Sequence, residues 1–137
     1  MAKTALIIGA SEDIGYELVQ LFAKDGYDCV LVVRNKQKMD QHATEVEKRF
    51  GIRAREIFDE LNAANVPVDG LINNAGLGIC SDFAKSDMDM NMHLIQVNML
   101  SLTKLTWLFL PGMLERKSGK IMNVGSIASF APSPNFA

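Results

Sequence analysis

Short apolar runs alternate with amphipathic stretches along this chain, regularly enough to lay out its elements. Thr4–Ile8 is an apolar run that ends at Gly9 and reads as a buried strand. Ile14–Lys24 carries Ile14, Leu18, Leu21 and Phe22 at helical spacing, which predicts an amphipathic helix ended by Gly26. Cys29–Val33 is rich in β-branched residues and predicts a second strand. Asn35 suits the N-cap of a polar helix running to about Phe50 and closed by Gly51. Val68–Ile72 predicts the next strand, leading into Asn73-Asn74-Ala75-Gly76. A long helix follows over about Asp87–Leu114, with a bend expected near Pro111. Lys120–Val124 predicts the last strand, and small residues, Ser and Pro fill the tail to Ala137.

Strands alternating with helices predict an α/β fold: a parallel sheet with helices on both faces. Ligands of such sheets settle beyond the carboxyl ends of the strands, near a topological switch point. Three loops follow strand ends here, Gly9–Gly15, Asn73–Gly78 and Gly125–Ser129, and they would share one rim. A chain of 137 residues, 48% hydrophobic and without repeats or low-complexity linkers, predicts a single domain over 1–137. The net charge of −2 offers no basic surface, so neither nucleic acid nor anionic membrane is an expected partner. Apolar runs fall short of the ~18 residues a membrane span requires. Met1-Ala2-Lys3-Thr4 enters a strand directly, unlike a secretory leader. Cys29 and Cys80 lack metal-ligand spacing, so no metal site is expected, and Cys29 reads as a small buried hydrophobe of a reduced, cytoplasmic protein.

Four landmarks stand in order: Ile8-Gly9-Ala10-Ser11-Glu12-Asp13-Ile14-Gly15, Asn73–Gly76, Asn98 in "IQVNMLSLTKLT", and Ser126 in "IMNVGSIAS". Together they resemble the short-chain dehydrogenase/reductase family, whose first motif is Thr-Gly-x-x-x-Gly-x-Gly and whose second is Asn-Asn-Ala-Gly. The resemblance covers nearly the whole chain but only the N-terminal half of a family member. It implies a Rossmann-like three-layer αβα sandwich with a mainly parallel sheet, incomplete at the C-terminus, forming a partial dinucleotide-binding domain. It also implies an oxidoreductase that moves a hydride between NADP(H) and a carbonyl or alcohol substrate. In the family the long helix often packs against its copy in another subunit, so a homo-oligomer is expected, with Leu102, Leu105, Trp107, Leu108 and Phe109 available for that contact. Three departures stand beside the matches. Asp13 replaces the middle glycine of the first motif. The stretch "IRAREIFDELNAANVPVDG" reads mainly as helix plus the next strand, too short for the family's third strand. The residues up to Ala137 also stop just before the family's catalytic Tyr-x-x-x-Lys pair. The alternative is therefore a catalytically incomplete fragment that at most binds a dinucleotide, or a non-enzymatic association module.

Within the resemblance, Gly9 would allow a tight turn and Gly15 a close approach of helix to sheet. Ser11, Asp13 and Ile14 lie between them, where the helix N–H groups and dipole would face a pyrophosphate. A carboxylate about 5 Å from a phosphate is repelled by ~3 kcal/mol at an effective dielectric of 20. That is roughly a hundredfold in affinity, so weakened dinucleotide binding is expected. Alternatively Asp13 caps the helix or points to solvent. Glu12 reads as solvated. Arg34 can clamp the 2′-phosphate of NADP, making NADP the expected cofactor and NAD the alternative. Lys36 and Lys38 read as a solvated helix face. Asn74, Ala75 and Gly76 would meet the cofactor ribose, with Gly76 in an unusual backbone angle and Asn73 bracing the backbone of neighbouring strands. Ser126 would bond the substrate carbonyl oxygen, and Asn98 would hold a water in a proton relay serving the Tyr–Lys pair. Tyr16 and Tyr27 cannot replace that Tyr. Met88, Met90, Met92 and Met99 read as core or subunit packing, and His42 and His93 as incidental.

Overall fold

The computed structural model describes residues 2–10, 13–32, 55–56, 61, 63–64, 66–131 and 133–136. Ser11, Glu12, Arg34, Lys36, Lys38, His42 and the helix expected from Asn35 to Phe50 lie outside the described residues.

β1 (Thr4–Ile8), β2 (Asp28–Val32), β3 (Arg55–Glu56), β4 (Gly70–Asn73) and β5 (Lys120–Asn123) form one sheet. Its order is β3-β2-β1-β4-β5, and every neighbouring pair is parallel. Successive side chains enter opposite cores. Ala5, Ile7, Cys29, Leu31 and Ile72 meet Val19 and Ala23 of helix α1 (Asp13–Lys24) on one face. Leu6, Val30 and Leu71 meet Leu61, Val68 and Met113 on the other. A strand covered on both sides has no use for polar alternation, which explains the unbroken "ALII" and "CVLV". Leu6, Ile7, Leu31 and Leu71 are fully buried, each contributing about 2 kcal/mol by area. The expected three-layer arrangement is present.

Several elements differ from expectation for physical reasons. The α1 face against the sheet centres on Gly15, Val19 and Ala23, with Leu18 and Phe22 beside them. Ile14 and Leu21, expected on that face, are 58% exposed. Small residues let the helix axis come close, and the larger side chains are left at the flanks. Gly26 ends α1 at φ +79°, with its N–H on the Ala23 carbonyl and the Tyr27 N–H on the Phe22 carbonyl, a Schellman closure. The stretch read as helix before β4 contains β3, which pairs Arg55 with Val30 and Glu56 with Leu31. A strand this short carries no periodicity to betray it.

The long helix comprises α2 (Met88–Ile95), a π turn (Gln96–Ser101) and α3 (Leu102–Glu115). Asp87 caps it by accepting the Asp89 N–H at 2.8 Å. Its irregularity falls at the π turn, where the Ser101 hydroxyl donates to the Gln96 carbonyl at 2.8 Å, whereas Pro111 lies within α3. Leu105 and Phe109 pack inward on the sheet, beside buried Met113, leaving only part of the expected subunit-contact set outward, with Trp107 72% exposed. Met88, Met90, Met92 and Met99 are 50–66% exposed, so they are not core. Along β5, Lys120, Met122 and Asn123 are exposed. Among the described residues no helix is long and apolar enough to cross a membrane.

Cys29 is buried as expected, its Sγ near the Val19 and Tyr27 carbonyls. Burial, helped by the charge of Asp28, pushes its thiol from 9.0 up to about 12. The unfolded chain would release this proton above pH 9.0 while the native one keeps it, so the group's contribution to stability falls as pH rises from 9.0 to about 12. A disulfide-forming thiol reagent at pH 8 is expected to titrate exposed Cys80 alone in the native protein, and both cysteines in denaturant. Rapid modification of both in the native state would contradict this burial.

Candidate functional site

β1 is the switch point of the sheet, with β2 to one side and β4 to the other. Loops leaving there diverge and open a crevice. Strand register sets Ile8 beside Asn73, and Asn73 beside Asn123. The loops that begin at Gly9, Asn74 and Val124 therefore leave the sheet at one level, on one rim, as expected.

The first loop turns on Gly9 at φ +78°, a conformation that L side chains rarely adopt. Its N–H donates to the Val32 carbonyl at 2.8 Å, and its carbonyl accepts the Asn74 Nδ2 at 2.8 Å. The Asn74 backbone N–H in turn reaches the Ile8 carbonyl at 3.2 Å. A Cβ on Gly9 would stand 2.8 Å from the backbone of Ala75. One on Gly15 would run into the Gly9 carbonyl oxygen and stand 2.6 Å from the Asn74 Nδ2. Gly9 thus makes the tight turn and Gly15 the close helix approach expected of them, and Asn74 ties the two loops together. Ala75 and Gly76 are exposed on the rim. Gly76 does not take the unusual angle expected of it; among the described residues the positive-φ glycines are Gly9, Gly26 and Gly119.

Asp13 opens α1 at φ +49°, its side chain exposed beside Ile14. A glycine at this position would adopt that angle freely, whereas Asp takes it at a cost of about 1 kcal/mol. Exposure also weakens the carboxylate's reach. At a dielectric approaching that of water, the repulsion of a phosphate 5 Å away drops to about 1 kcal/mol.

Ser126 follows β5 in extended conformation and caps a 3-10 turn, Ile127–Ser129, its Oγ accepting the Ala128 N–H at 3.1 Å. That bond fixes the side chain and leaves the hydroxyl proton to donate. Asn98 lies within the π turn. Its Oδ1 accepts the Leu77 N–H at 2.9 Å and its Nδ2 donates to the Leu77 carbonyl at 2.8 Å. The amide therefore grips the loop after β4 and keeps one donor and one acceptor position uncommitted. Asn73 is buried and joins side chains rather than the strand backbones expected. Its Nδ2 donates to Asn123 Oδ1 at 2.9 Å and to Thr106 Oγ1 at 3.4 Å. Leu77, Thr106 and Asn123 were not singled out in the sequence. For Asn123 a signal was present, since it ends β5 as Asn73 ends β4.

A family model for short chain dehydrogenases matches residues 3–137. Among curated proteins the chain is similar to the very-long-chain 3-oxoacyl-CoA reductase of Anas platyrhynchos, at 32% identity over 95% of this chain and 47% of the relative. It is also similar to the ketoacyl reductase HetN of Nostoc sp., at 33% identity over 92% of this chain and 48% of the relative. The chain thus spans about half the length of the curated relatives it matches. Among solved structures, a short-chain dehydrogenase from Sphingobium yanoikuyae in complex with NADPH aligns with a TM-score of 0.87 at 30% identity, covering 97% of this chain and 57% of that one. L-sorbose reductase from Gluconobacter frateurii, complexed with NADPH and L-sorbose, aligns at 0.90 with 25% identity, covering 98% and 56%.

Proposed function

The chain belongs to the short-chain dehydrogenase family, and from that membership we propose that its rim binds NADP and serves hydride transfer between NADP(H) and a carbonyl or alcohol. The single observation that carries this reading is the knot of Gly9, Gly15 and Asn74 at the switch point, where a side chain on either glycine would strike backbone or the Asn74 amide. Such a turn lets a phosphate approach main-chain N–H groups at the start of α1. Gly9, Asp13, Ile14, Gly15 and, outside the described residues, Ser11 make up that cradle. Asn74, Ala75 and Gly76 are the proposed ribose contacts; Asn74 keeps its Oδ1 to accept from a hydroxyl. Arg34 follows β2 in sequence, and NADPH is bound in two of the similar structures. Both favour NADP over NAD.

When bound, the nicotinamide supplies or takes up the hydride. Ser126 donates its free hydroxyl proton to the substrate oxygen, polarising the carbonyl while the Ala128 N–H holds Oγ in place. Asn98 positions the rim loop through Leu77 and offers its remaining amide positions to a water. A serine hydroxyl is too weak an acid to deliver the proton that the reduced oxygen needs, and the family's Tyr-x-x-x-Lys pair does not occur in residues 1–137. Residues 1–137 are therefore proposed to bind and orient rather than turn over. The 3-oxoacyl thioesters named for the curated relatives are the first substrate class to try. Self-association through the outward methionines and Trp107 belongs to the same proposal.

Fluorescence titration with NADPH and NADH tests the reading. A Kd on the order of 10–100 µM for NADPH, tighter than for NADH, is expected. No binding of either at millimolar concentration would overturn it. Steady NADPH consumption by the 137-residue chain with ketone substrates would overturn the division between orienting and proton-delivering residues.

A further inference from the structure

The segment that carries Ser126 returns to the rim and closes on the loop after β4. Ser133–Phe136 make a turn, with the Phe136 N–H on the Ser133 carbonyl at 3.1 Å and Asn135 at φ +62°. Phe136 then lies antiparallel to Cys80, and the Ser81 N–H donates to the Asn135 carbonyl at 2.7 Å. A bond flanking the pair in this way marks it as the close, non-hydrogen-bonded kind, with Cα atoms about 4.5 Å apart. The Phe136 ring is seated on Gly78, where a Cβ would stand 2.8 Å from Cζ and 3.3 Å from Cε1. At the preceding residue, Asn98 grips Leu77 by both backbone groups. Two consecutive residues are thus held, one by the π turn and one by the tail. The exposed Ala75 and Gly76 immediately before them bury little of their own, and a loop so made opens readily unless it is braced.

We propose that Phe136 is a positioning residue for dinucleotide binding: its ring on Gly78 holds the Asn74–Gly76 loop in its receiving shape and ties that loop to the segment bearing Ser126. The proposal rests on the reading of the rim as a dinucleotide site. Coupling of this kind is reciprocal, so a dinucleotide bound at the loop steadies the Ser126 segment as much as the tail steadies the loop. Phe136→Ala removes the ring from a half-exposed position at little cost to the core. Hydrogen–deuterium exchange over residues 74–81 is expected to quicken about tenfold in Phe136→Ala. Its NADPH affinity is expected to fall about fivefold, with the thermal midpoint without ligand nearly unchanged and Phe136→Leu, which keeps an apolar side chain against Gly78, restoring part of both. Unchanged exchange in Phe136→Ala overturns the proposal, and so does faster exchange with unchanged affinity. A wild-type chain that binds no NADPH defeats the proposed function instead, and the exchange measurement still decides whether the ring braces the loop.

Discussion

Gly15→Ala is expected to destabilise the protein by about 3 kcal/mol and to abolish NADPH binding. The added methyl group would overlap the Gly9 carbonyl oxygen and stand 2.6 Å from Asn74 Nδ2 and 2.9 Å from the Gly9 carbonyl carbon. Two of these atoms are backbone, and the third, the end of the Asn74 side chain, is held by its bond to the Gly9 carbonyl. The Gly9 carbonyl is the acceptor of the Asn74 bond, so relief must come from α1 lifting off the sheet or from the two rim loops separating. Lifting α1 would also loosen Val19 and Ala23 from the core. Thermal denaturation should show a midpoint lower by roughly 10 °C or more for a domain of this size. Gly26→Ala makes the contrast: Gly26 has a φ of +79°, which Gly15 does not share, but nothing lies within 4 Å of the added Cβ, so the change should cost only about 1 kcal/mol of strain. Wild-type stability and NADPH affinity in Gly15→Ala would mean that the helix does not seat as described.

Asp13→Gly should act in the opposite direction. Two effects add at this position, a positive φ on a residue with a Cβ and a negative charge at a helix start proposed to face phosphate. Removing both should tighten NADPH about fivefold and raise stability by up to about 1 kcal/mol. Asp13→Asn separates them: it keeps the strained backbone and loses the charge, so it should recover most of the affinity and little of the stability. The charge effect should also shrink as salt rises, because the carboxylate is exposed. If Asp13→Asn leaves the NADPH Kd unchanged at low salt, the carboxylate does not face the bound phosphate.

The strands that cross the core were legible because burial on both faces forces unbroken apolar runs, as in Thr4–Ile8 and Asp28–Val32. Gly9 and Gly15 were legible because a tight turn and a close helix leave no other residue type at those points. Other features lie below what a pattern can carry. Arg55–Glu56 is too short to show a period. A π turn keeps the composition of an α-helix, so Gln96–Ser101 merges into its neighbours in sequence, where Pro111 is the visible candidate for a bend. The periodicity of α1 favoured Ile14 and Leu21 over Gly15 and Ala23, because hydrophobicity alone does not reward small side chains for the close contact they permit. Within the candidate site, the placement of Asn74 and Ser126 on one rim was foreseeable from the strand order. The grip of Asn98 on Leu77 and the ring of Phe136 on Gly78 were not, since each joins segments through tertiary contact with no local signature.

Asn98, Leu105 and Phe109 would stack on a single face of a regularly wound helix, as seven-residue and four-residue steps bring side chains nearly into line. In this protein the latter two serve the apolar seat on the sheet while the first reaches sideways to a loop. The widened turn between them is a phase shift: one surplus residue swings the amide by up to about 100° from the apolar line. A single-residue deletion there would preserve the helix, its seat on the sheet and nearly all of its composition, but would turn α2 about its axis and aim the Asn98 amide away from Leu77.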